Sequence, residues 1–178
     1  MNQSTLEVTI RQETKDDQPE VYAINTQAFG QEGEAMLVDR LRKTPSFVPE
    51  LSLVATSGNR LVGHILFSII SISDGNGNKV ESLALAPMAV KPEFQQQGIG
   101  GQLVQHGLNK ARELKYTSVI VLGHEHYYPK FGFLPAEKWN IQSPYDVPSS
   151  FFMAVELIPD GLKDVNGMVQ YPKEFEGV

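Results

Sequence analysis

A glycine-rich loop between an apolar segment and a regular amphipathic segment is the feature that most constrains this chain. Residues 80–90 predict a strand, and apolar side chains recur at helical spacing through residues 98–114. Between these segments lie Gly98, Gly100 and Gly101. The first helical turn has N–H groups without intrahelical acceptors, and glycine lets a ligand approach the backbone, so the loop predicts an anion site. Close packing of the helix on the sheet is the alternative explanation.

The residues around these glycines argue against two common nucleotide-binding loops. A dinucleotide-binding fingerprint needs a further glycine where this chain has Leu103, and the Gly-Lys-Ser/Thr of a P-loop is absent. The strand before the loop contains Pro87, which lacks a backbone N–H and therefore indicates an edge strand or a β-bulge. A bulge there would separate this strand from its neighbour in the sheet.

The order of the segments predicts an α/β (α+β) fold with a mixed, mostly antiparallel central sheet flanked by helices. Turns rich in Gly and Asn separate three apolar runs and indicate an antiparallel meander, and a β-branched run after the long helix indicates a parallel crossover. The length of 178 residues suits one domain spanning residues 1–178. In the second helix, Met36, Leu37 and Leu41 are predicted to share the buried face. We predict strands at 8–13, 51–56, 61–72, 80–90, 117–122 and 151–157, and helices from an N-cap at Asp16 or Asp17 to Phe29, at 33–43 and at 98–114.

Composition narrows the possible chemistry. The chain has no cysteine, which excludes disulfides, thiolate metal sites and cysteine nucleophiles, and its four histidines have no metal-ligand spacing, so we expect no metal. A formal charge of −6 argues against nucleic acid as a partner and favours a cationic one. The N-terminal residues lack the basic and apolar regions of a signal peptide, and no apolar run approaches the roughly 18 residues of a membrane span. We therefore expect a cytoplasmic protein without a membrane partner.

Two motifs resemble one protein family. The pattern Gln95-x-x-Gly98-x-Gly100, after a strand that ends in Val-x-Pro-Glu, is similar to the signature of the acyl-CoA N-acyltransferase superfamily called GNAT. The run Tyr-Tyr-Pro-Lys-Phe-Gly-Phe at residues 127–133 resembles a second motif of that family, aromatic-Tyr-x-Lys-x-Gly-Phe, and follows the predicted parallel strand. The likeness extends over residues 8–157 at the level of the fold and is greatest to the YhbS-like bacterial group.

The resemblance implies acetyl-CoA as co-substrate, with no metal. The backbone amides of residues 96–101 would bind the pyrophosphate of CoA, and the strand at residues 88–90 would pair with its pantetheine arm along the slot opened by a bulge at Pro87. Many members carry an Asn ahead of the second motif, whereas this chain has Gly123-His-Glu-His126 there. The implied cofactor-binding residues are Met88, Ala89, Val90, Gln95, Gln96, Gln97, Gly98, Ile99, Gly100 and Gly101.

The resemblance also implies direct transfer of the acetyl group to a primary amine of a small molecule or peptide. This reaction needs donors for the developing oxyanion and a proton for the departing thiolate. The second motif gives the role of acid to Tyr128 rather than Tyr127, with packing at the sheet edge as the alternative. The oxyanion donor would be a backbone N–H near Val90 or Ala89.

The general base and the acceptor site are less constrained by the sequence. Glu34 begins the second helix, where a carboxylate either caps the helix or binds a cationic acceptor. His124 and His126 follow the parallel strand beside the tyrosines and face either the reaction centre or solvent. His64 lies in mid-strand, where a lone histidine is more often a hydrogen-bonded group than a base. An ordered water is another possible base.

Trp139 and the loop at residues 140–150 are predicted to wall the acceptor pocket, with core packing as the alternative for Trp139. Three other functions stay open: a non-catalytic acyl-CoA-binding sensor, an enzyme that acylates a hydroxyl or transfers a longer acyl chain, and a phosphate-binding protein unrelated to CoA. A homodimer is also left open.

Overall fold

A mixed sheet forms the centre of the fold in the computed structural model, which describes residues 6–178. The path of neighbouring strands is β1-β2-β3-β4-β5-β8-β6, with β9 pairing with β3 and β7, and the sheet is antiparallel except at β4–β5 and β7–β9. The predicted mixed, mostly antiparallel sheet is confirmed. The strands are β1 (Thr9–Gln12), β2 (Phe47–Ser57), β3 (Arg60–Ser73), β4 (Lys79–Val90), β5 (Ser118–Leu122), β6 (Leu134–Pro135), β7 (Ile141–Gln142), β8 (Phe152–Glu156) and β9 (Gly167–Gln170), and the helices are α1 (Gln18–Phe29), α2 (Gly33–Leu41) and α3 (Ile99–Glu113).

Strand β4 carries the bulge that Pro87 predicts. Ile65 of β3 pairs with Met88 and Phe67 pairs with Leu85, so β4 has one residue more than β3 between the two pairs. The peptide bond before Pro87 is cis. The bulge lies in the second half of β4, the strand that leads to the glycine-rich loop.

Strands β4 and β5 pair over a short distance and then separate. Their parallel register consists of Leu83 with Val119 and Ala84 with Ile120, whereas β5 continues to Leu122 and β4 to Val90. The separation begins next to the bulge and leaves the second half of β4 unpaired on its β5 side. This is the opening on which the site depends.

Helix α3 holds the loop against the sheet through an apolar face of fully buried side chains. It begins after Gly98, whose φ of 81° lies in the left-handed region that favours glycine. Further along, a Cβ on Gly107 would lie 2.1 Å from the ring of Phe67 on β3, so only glycine allows this close approach. The packing fixes the position of the helix N-terminus relative to β4.

Helix α2 differs from the prediction in the face that it buries. Leu37 and Leu41 are buried as predicted, but Met36 is 40% exposed and Val38 is buried instead. At 100° per residue, the buried stripe lies opposite Met36, so the prediction for Met36 is wrong. Glu34 lies one turn before Leu37 and Val38, on the same stripe.

Helix α1 begins after Asp17, as predicted, but the carboxylate of Asp17 does not cap it. One carboxylate oxygen accepts hydrogen bonds from the Thr14 backbone N–H at 2.7 Å and from Arg11 at 2.6 Å. These bonds, Arg11 first, lower the pKa of Asp17 to about 2. Asp17 therefore forms a capping box with Thr14, the N-cap of the preceding 3-10 turn at Lys15–Asp17.

The last residues of the chain return to the sheet. Strand β9 pairs with β3 through Ser71–Gln170, Ile72–Val169 and Ser73–Met168, and Val169 is buried. The sequence predicted no element beyond residue 157, and β6, β7 and β9 are additions to that prediction. The chain after β9 ends beside α2.

A buried polar cluster connects α1 to β2 and β3. Asn25 Nδ2 lies 3.3 Å from His64 Nδ1, and His64 Nε2 lies 3.0 Å from Ser52 Oγ, which donates to Glu13. An amide nitrogen is a donor, so Nδ1 of His64 accepts and Nε2 carries the proton of a neutral ring. Glu13 pairs with Arg42 at 2.6 Å. His64 pairs in register with Ala89 of β4, so the cluster lies next to the half of β4 that separates from β5.

The cluster predicts acid sensitivity of the folded state. Burial lowers the pKa of His64 below its ordinary value, although the nearby Glu13 carboxylate opposes the shift and Arg42 adds to it. As the pH falls, the His64 imidazole is therefore protonated in the unfolded chain before it is protonated in the folded protein. The free energy of unfolding then decreases as pH drops below about 6.5. Burial opposes ionisation of Glu13, but its contacts with His64, Ser52 and Arg42 lower its pKa overall, so its contribution is lost only at more acidic pH.

Urea unfolding at pH 7.5 and pH 5.5 checks this prediction. We expect the wild type to lose stability between the two values and a His64→Gln variant to lose less, because glutamine does not titrate. Equal losses in the two proteins would contradict the assignment of the effect to His64.

Candidate active site

A large cavity lies between the separated ends of β4 and β5. Its volume is about 870 Å³, within the range of small-molecule sites. Most of the residues that line it are apolar or aromatic, and they come from α1, α2, β4, β5 and the last third of the chain. They are Phe29, Glu34, Leu37, Ala84, Leu85, Ala86, Pro87, Met88, Ile120, Leu122, Gly123, His124, Tyr127, Tyr128, Tyr145, Val147, Tyr171, Phe175 and Val178.

A second cavity of about 390 Å³ lies over the glycine-rich loop. Phe29, Met88 and Tyr127 line both cavities, so the two are adjacent along β4. The second cavity is lined by Ala28, Phe29, Met88, Ala89, Val90, Phe94, Gln95, Gln96, Gly98, Ile99, Gly100, Gly101, Tyr127 and Lys130.

Two residues of the glycine-rich loop adopt the left-handed backbone conformation. Gln96 and Gly98 both have positive φ, 62° and 81°. Gln95 Nε2 donates to the carbonyl oxygen of Val90 at 3.0 Å and so ties the loop to the end of β4. A Cβ on Gly98 would meet no atom within 4 Å, which leaves space above the first turn of α3. Such a turn can bind an anion through its N–H groups.

Nine of the ten predicted cofactor-binding residues line this second cavity. The exception is Gln97, whose Nε2 lies 3.5 Å from the carbonyl oxygen of Glu93. Met88 belongs to both cavities. The structure therefore brings the predicted cofactor-binding residues, apart from Gln97, together around one cavity.

Tyr128 projects into the large cavity and is nearly buried. It packs edge-to-face on Tyr127 and Phe133, with ring centroids 5.0 and 5.6 Å away. Burial raises the pKa of its phenol, with a smaller contribution from Tyr127, so the hydroxyl keeps its proton at neutral pH. A Cβ on Gly123 would lie 2.4 Å from the Tyr128 ring, so glycine is required for this ring position.

Tyr127 lies where the two cavities meet and lines both of them. Its hydroxyl is 2.9 Å from the position of a Cβ on Gly100, so glycine at this position leaves room for it. The Lys130 ammonium lies 4.0 Å from the centre of the Tyr127 ring. Both tyrosines of the second motif therefore contact the cavities, and Tyr128 is the more buried of the two.

The candidate acceptor residues are not all in one place. Glu34 and His124 line the large cavity, whereas the side chain of His126 is 87% exposed and lines neither cavity. Glu34 is held by Gln31, whose Nε2 donates to both carboxylate oxygens at 2.9 and 3.0 Å. His64 is fully buried away from both cavities.

Part of the loop that was predicted to wall the acceptor pocket lines the large cavity. Tyr145 and Val147 line the large cavity, whereas Trp139 does not line it and packs, partly buried, against the apolar cluster that includes Ala84 and Ile120 of the lining. The sequence analysis missed Tyr171 and Phe175, which also line the cavity. The two aromatic residues near the end of the chain were the available signal, and they have no local periodicity.

Within residues 6–178, no group of three or more His, Asp or Glu side chains is arranged to hold a metal ion. In the same residues, no helix has the length and apolar character needed to cross a membrane.

Comparison with known proteins assigns the family. The model of the acetyltransferase (GNAT) family matches residues 13–133, which include the glycine-rich loop and Tyr128. The chain belongs to the GNAT family. The resemblance inferred from the two motifs is thereby confirmed.

The most similar GNAT relatives include two proteins of Escherichia coli K12. The chain is 32% identical over 167 residues to "Uncharacterized N-acetyltransferase YhbS", covering 93% of this chain and 97% of YhbS. It is 38% identical over 135 residues to "Uncharacterized N-acetyltransferase YjhQ", covering 75% of this chain and 74% of YjhQ. The predicted likeness to the YhbS-like group is confirmed.

Two solved GNAT structures have the same fold and hold ligands. Escherichia coli YhbS in complex with CoA has a TM-score of 0.87 and 31% identity, covering 98% of this chain and 95% of that one. A GNAT family acetyltransferase from Brucella melitensis in complex with acetyl-CoA has a TM-score of 0.78 and 29% identity, covering 96% and 99%.

Proposed function

We propose that this GNAT protein transfers the acetyl group of acetyl-CoA directly to the primary amine of a small molecule or peptide. The observation that carries the proposal is the pair of adjacent cavities along the separated half of β4. One contains the anion-binding loop, the other contains the tyrosine acid, and Met88 and Tyr127 line both. CoA and acetyl-CoA are the ligands of the two structural relatives, which supports the same donor here.

The register of β4 supports a choice among the oxyanion donors. The Lys91 N–H donates to the Val62 carbonyl at 2.8 Å, and antiparallel pairs alternate, so Ala89 also directs its N–H towards β3. Val90 and Met88 then direct theirs towards the opening. The hydrogen bond from Gln95 to the Val90 carbonyl agrees with that orientation. We therefore assign the oxyanion donor to Val90 or Met88 rather than to Ala89.

In this mechanism the first turn of α3 binds the pyrophosphate, and the free edge of β4 aligns the pantetheine arm. The neutral amine attacks the thioester carbonyl, and a backbone N–H of β4 stabilises the oxyanion. The hydroxyl of Tyr128 then protonates the departing thiolate. The absence of cysteine agrees with a direct transfer without an acyl-thiol intermediate on the protein.

Calorimetric titration with acetyl-CoA, dephospho-CoA and ADP, followed by thiol release with an amine panel, tests the proposal. We expect acetyl-CoA to bind at least tenfold more tightly than ADP, because the pantetheine arm adds contacts along β4. Thiol release has no background from protein cysteine. Equal binding of ADP and acetyl-CoA would contradict the proposal. Binding without turnover of any amine would favour the non-catalytic sensor.

A further inference from the structure

We propose that the acceptor is a hydrophobic primary amine with an aromatic ring and no carboxylate or phosphate group. This inference rests on the proposed function and specifies its substrate class. The size and lining of the large cavity, rather than the family, carry it. Amino sugars, polyamines and amino acids are thereby disfavoured as acceptors.

Aromatic side chains form one wall of the large cavity. The Tyr145 and Tyr171 ring centroids are 5.4 Å apart, and those of Tyr171 and Phe175 are 5.0 Å apart, both in tilted geometry. Tyr128 and Phe29 are further aromatic residues of the lining. Aromatic rings prefer tilted and edge-to-face partners, so an aromatic ring on the acceptor can pack against this wall.

The surfaces around this wall are also apolar. Leu37, Leu85, Ile120, Leu122 and Val147 come from α2, β4, β5 and one loop, and all of them line the cavity. Leu122 remains 42% exposed although it points into the cavity region, so apolar surface there is available for burial by a ligand. A polyol or polyamine would lose its hydration in this cavity without equivalent hydrogen bonds.

The charge of the lining fits an ammonium group and opposes an anion. Glu34 is the one acidic side chain among the lining residues that the structure describes, and this set contains neither Lys nor Arg. Its position on the buried stripe of α2 directs it towards the cavity. A carboxylate or phosphate on the acceptor would meet no Lys or Arg side chain in this lining, and burial of an unpaired anion is unfavourable.

A long acyl chain on the donor would also fill an apolar cavity, but it would not pair with Glu34.

An ammonium ion attracted by Glu34 loses a proton to water before reaction. The neutral nitrogen then forms a C–N bond with the acetyl carbon while the C–S bond breaks. The nitrogen loses its second proton to water, and the thiolate gains one from Tyr128, which is re-protonated from solvent.

Matched pairs of amines test the inference through binding to the CoA-loaded protein and through acetylation. The probes are 2-phenylethylamine, ethylamine, which lacks the ring, L-phenylalanine, which adds a carboxylate, and glucosamine. We expect 2-phenylethylamine to bind at least tenfold more tightly than each of the other amines. Its kcat/KM for acetylation should also be at least tenfold higher than theirs. An equal or higher kcat/KM with ethylamine, phenylalanine or glucosamine would overturn the inference. It would not contradict the proposed acetyltransferase function.

A pair of charge variants tests the role of Glu34. Glu34→Gln should weaken binding of 2-phenylethylamine about tenfold and leave acetyl-CoA binding unchanged. Glu50→Gln is the matched control, because Glu50 is exposed on β2 and lines neither cavity. Equal effects of the two variants would contradict a contact between Glu34 and the amine.

Two further outcomes separate this inference from the proposed function. Better turnover of hexanoyl-CoA than of acetyl-CoA, with weaker amine binding, would assign the cavity to the acyl chain and overturn the inference. Failure of acetyl-CoA to bind would overturn the proposed function. The binding of 2-phenylethylamine to the protein without CoA is measured as well, so the inference is tested in that case too. Absence of 2-phenylethylamine binding both with and without CoA would overturn the inference.

Discussion

Replacing Tyr128 with Phe is expected to lower kcat at least about 100-fold, because general acid catalysis contributes roughly 10²–10⁴-fold. The acetyl-CoA dissociation constant should change less than about threefold, since the ring and its packing on Phe133 are retained. Among the described residues, no hydrogen bond to the Tyr128 hydroxyl is found, so the variant should fold normally. Steady-state kinetics and calorimetry on the same preparation measure both effects.

Tyr116→Phe is the matched control for this variant. Tyr116 lines neither cavity, and its substitution should leave kcat unchanged. A full kcat in Tyr128→Phe together with a loss in Tyr127→Phe would transfer the role of acid to Tyr127. Retention of activity in both variants would remove the tyrosine acid from the mechanism.

Replacing Gly98 with Glu is expected to weaken acetyl-CoA binding about 100-fold, because a carboxylate at the first turn of α3 repels the pyrophosphate at short range. Space above Gly98 accommodates the side chain. The positive φ costs about 1 kcal/mol for any residue other than glycine, so part of the loss is conformational. Calorimetry with acetyl-CoA measures the total loss.

Gly98→Gln separates the charge from the backbone cost. It has the same shape and the same φ requirement as the Glu variant, and it should lose less than tenfold in affinity. Equal losses in Gly98→Glu and Gly98→Gln would show that charge is not the cause. Unchanged binding in both variants would contradict a pyrophosphate site at this loop.

The proposed donor side of the protein was predictable from sequence because its signals are local. The strand before the loop, the glycines and the periodic face of α3 occupy one continuous stretch, and Pro87 correctly indicated the bulge in β4. Backbone conformation at Gly98 follows from a single residue type. In such segments, the neighbouring residues determine most of the structure.

The acceptor side was less predictable because its residues come from distant parts of the chain. Strand β9 has four residues, of which Val169 is buried, and it pairs with β3 almost 100 positions earlier. Asn166-Gly167 indicates a turn at the start of β9, but a run of four residues is too short for alternation to predict a strand. Tyr171 and Phe175 reach the cavity through this pairing, so their role depends on tertiary contacts. Met36 was assigned to the wrong face because a helix of nine residues offers several plausible apolar stripes.

The division of the two cavities along the chain has an evolutionary consequence. The family model ends at residue 133, after the loop and Tyr128, whereas Tyr145, Val147, Tyr171 and Phe175 follow it. Substitutions in this last quarter can reshape the large cavity without changing a residue of the glycine-rich loop. Selection can therefore act on the two cavities separately, and under the proposed function a duplicated copy of such a gene can acquire a new acceptor while it inherits its donor site intact.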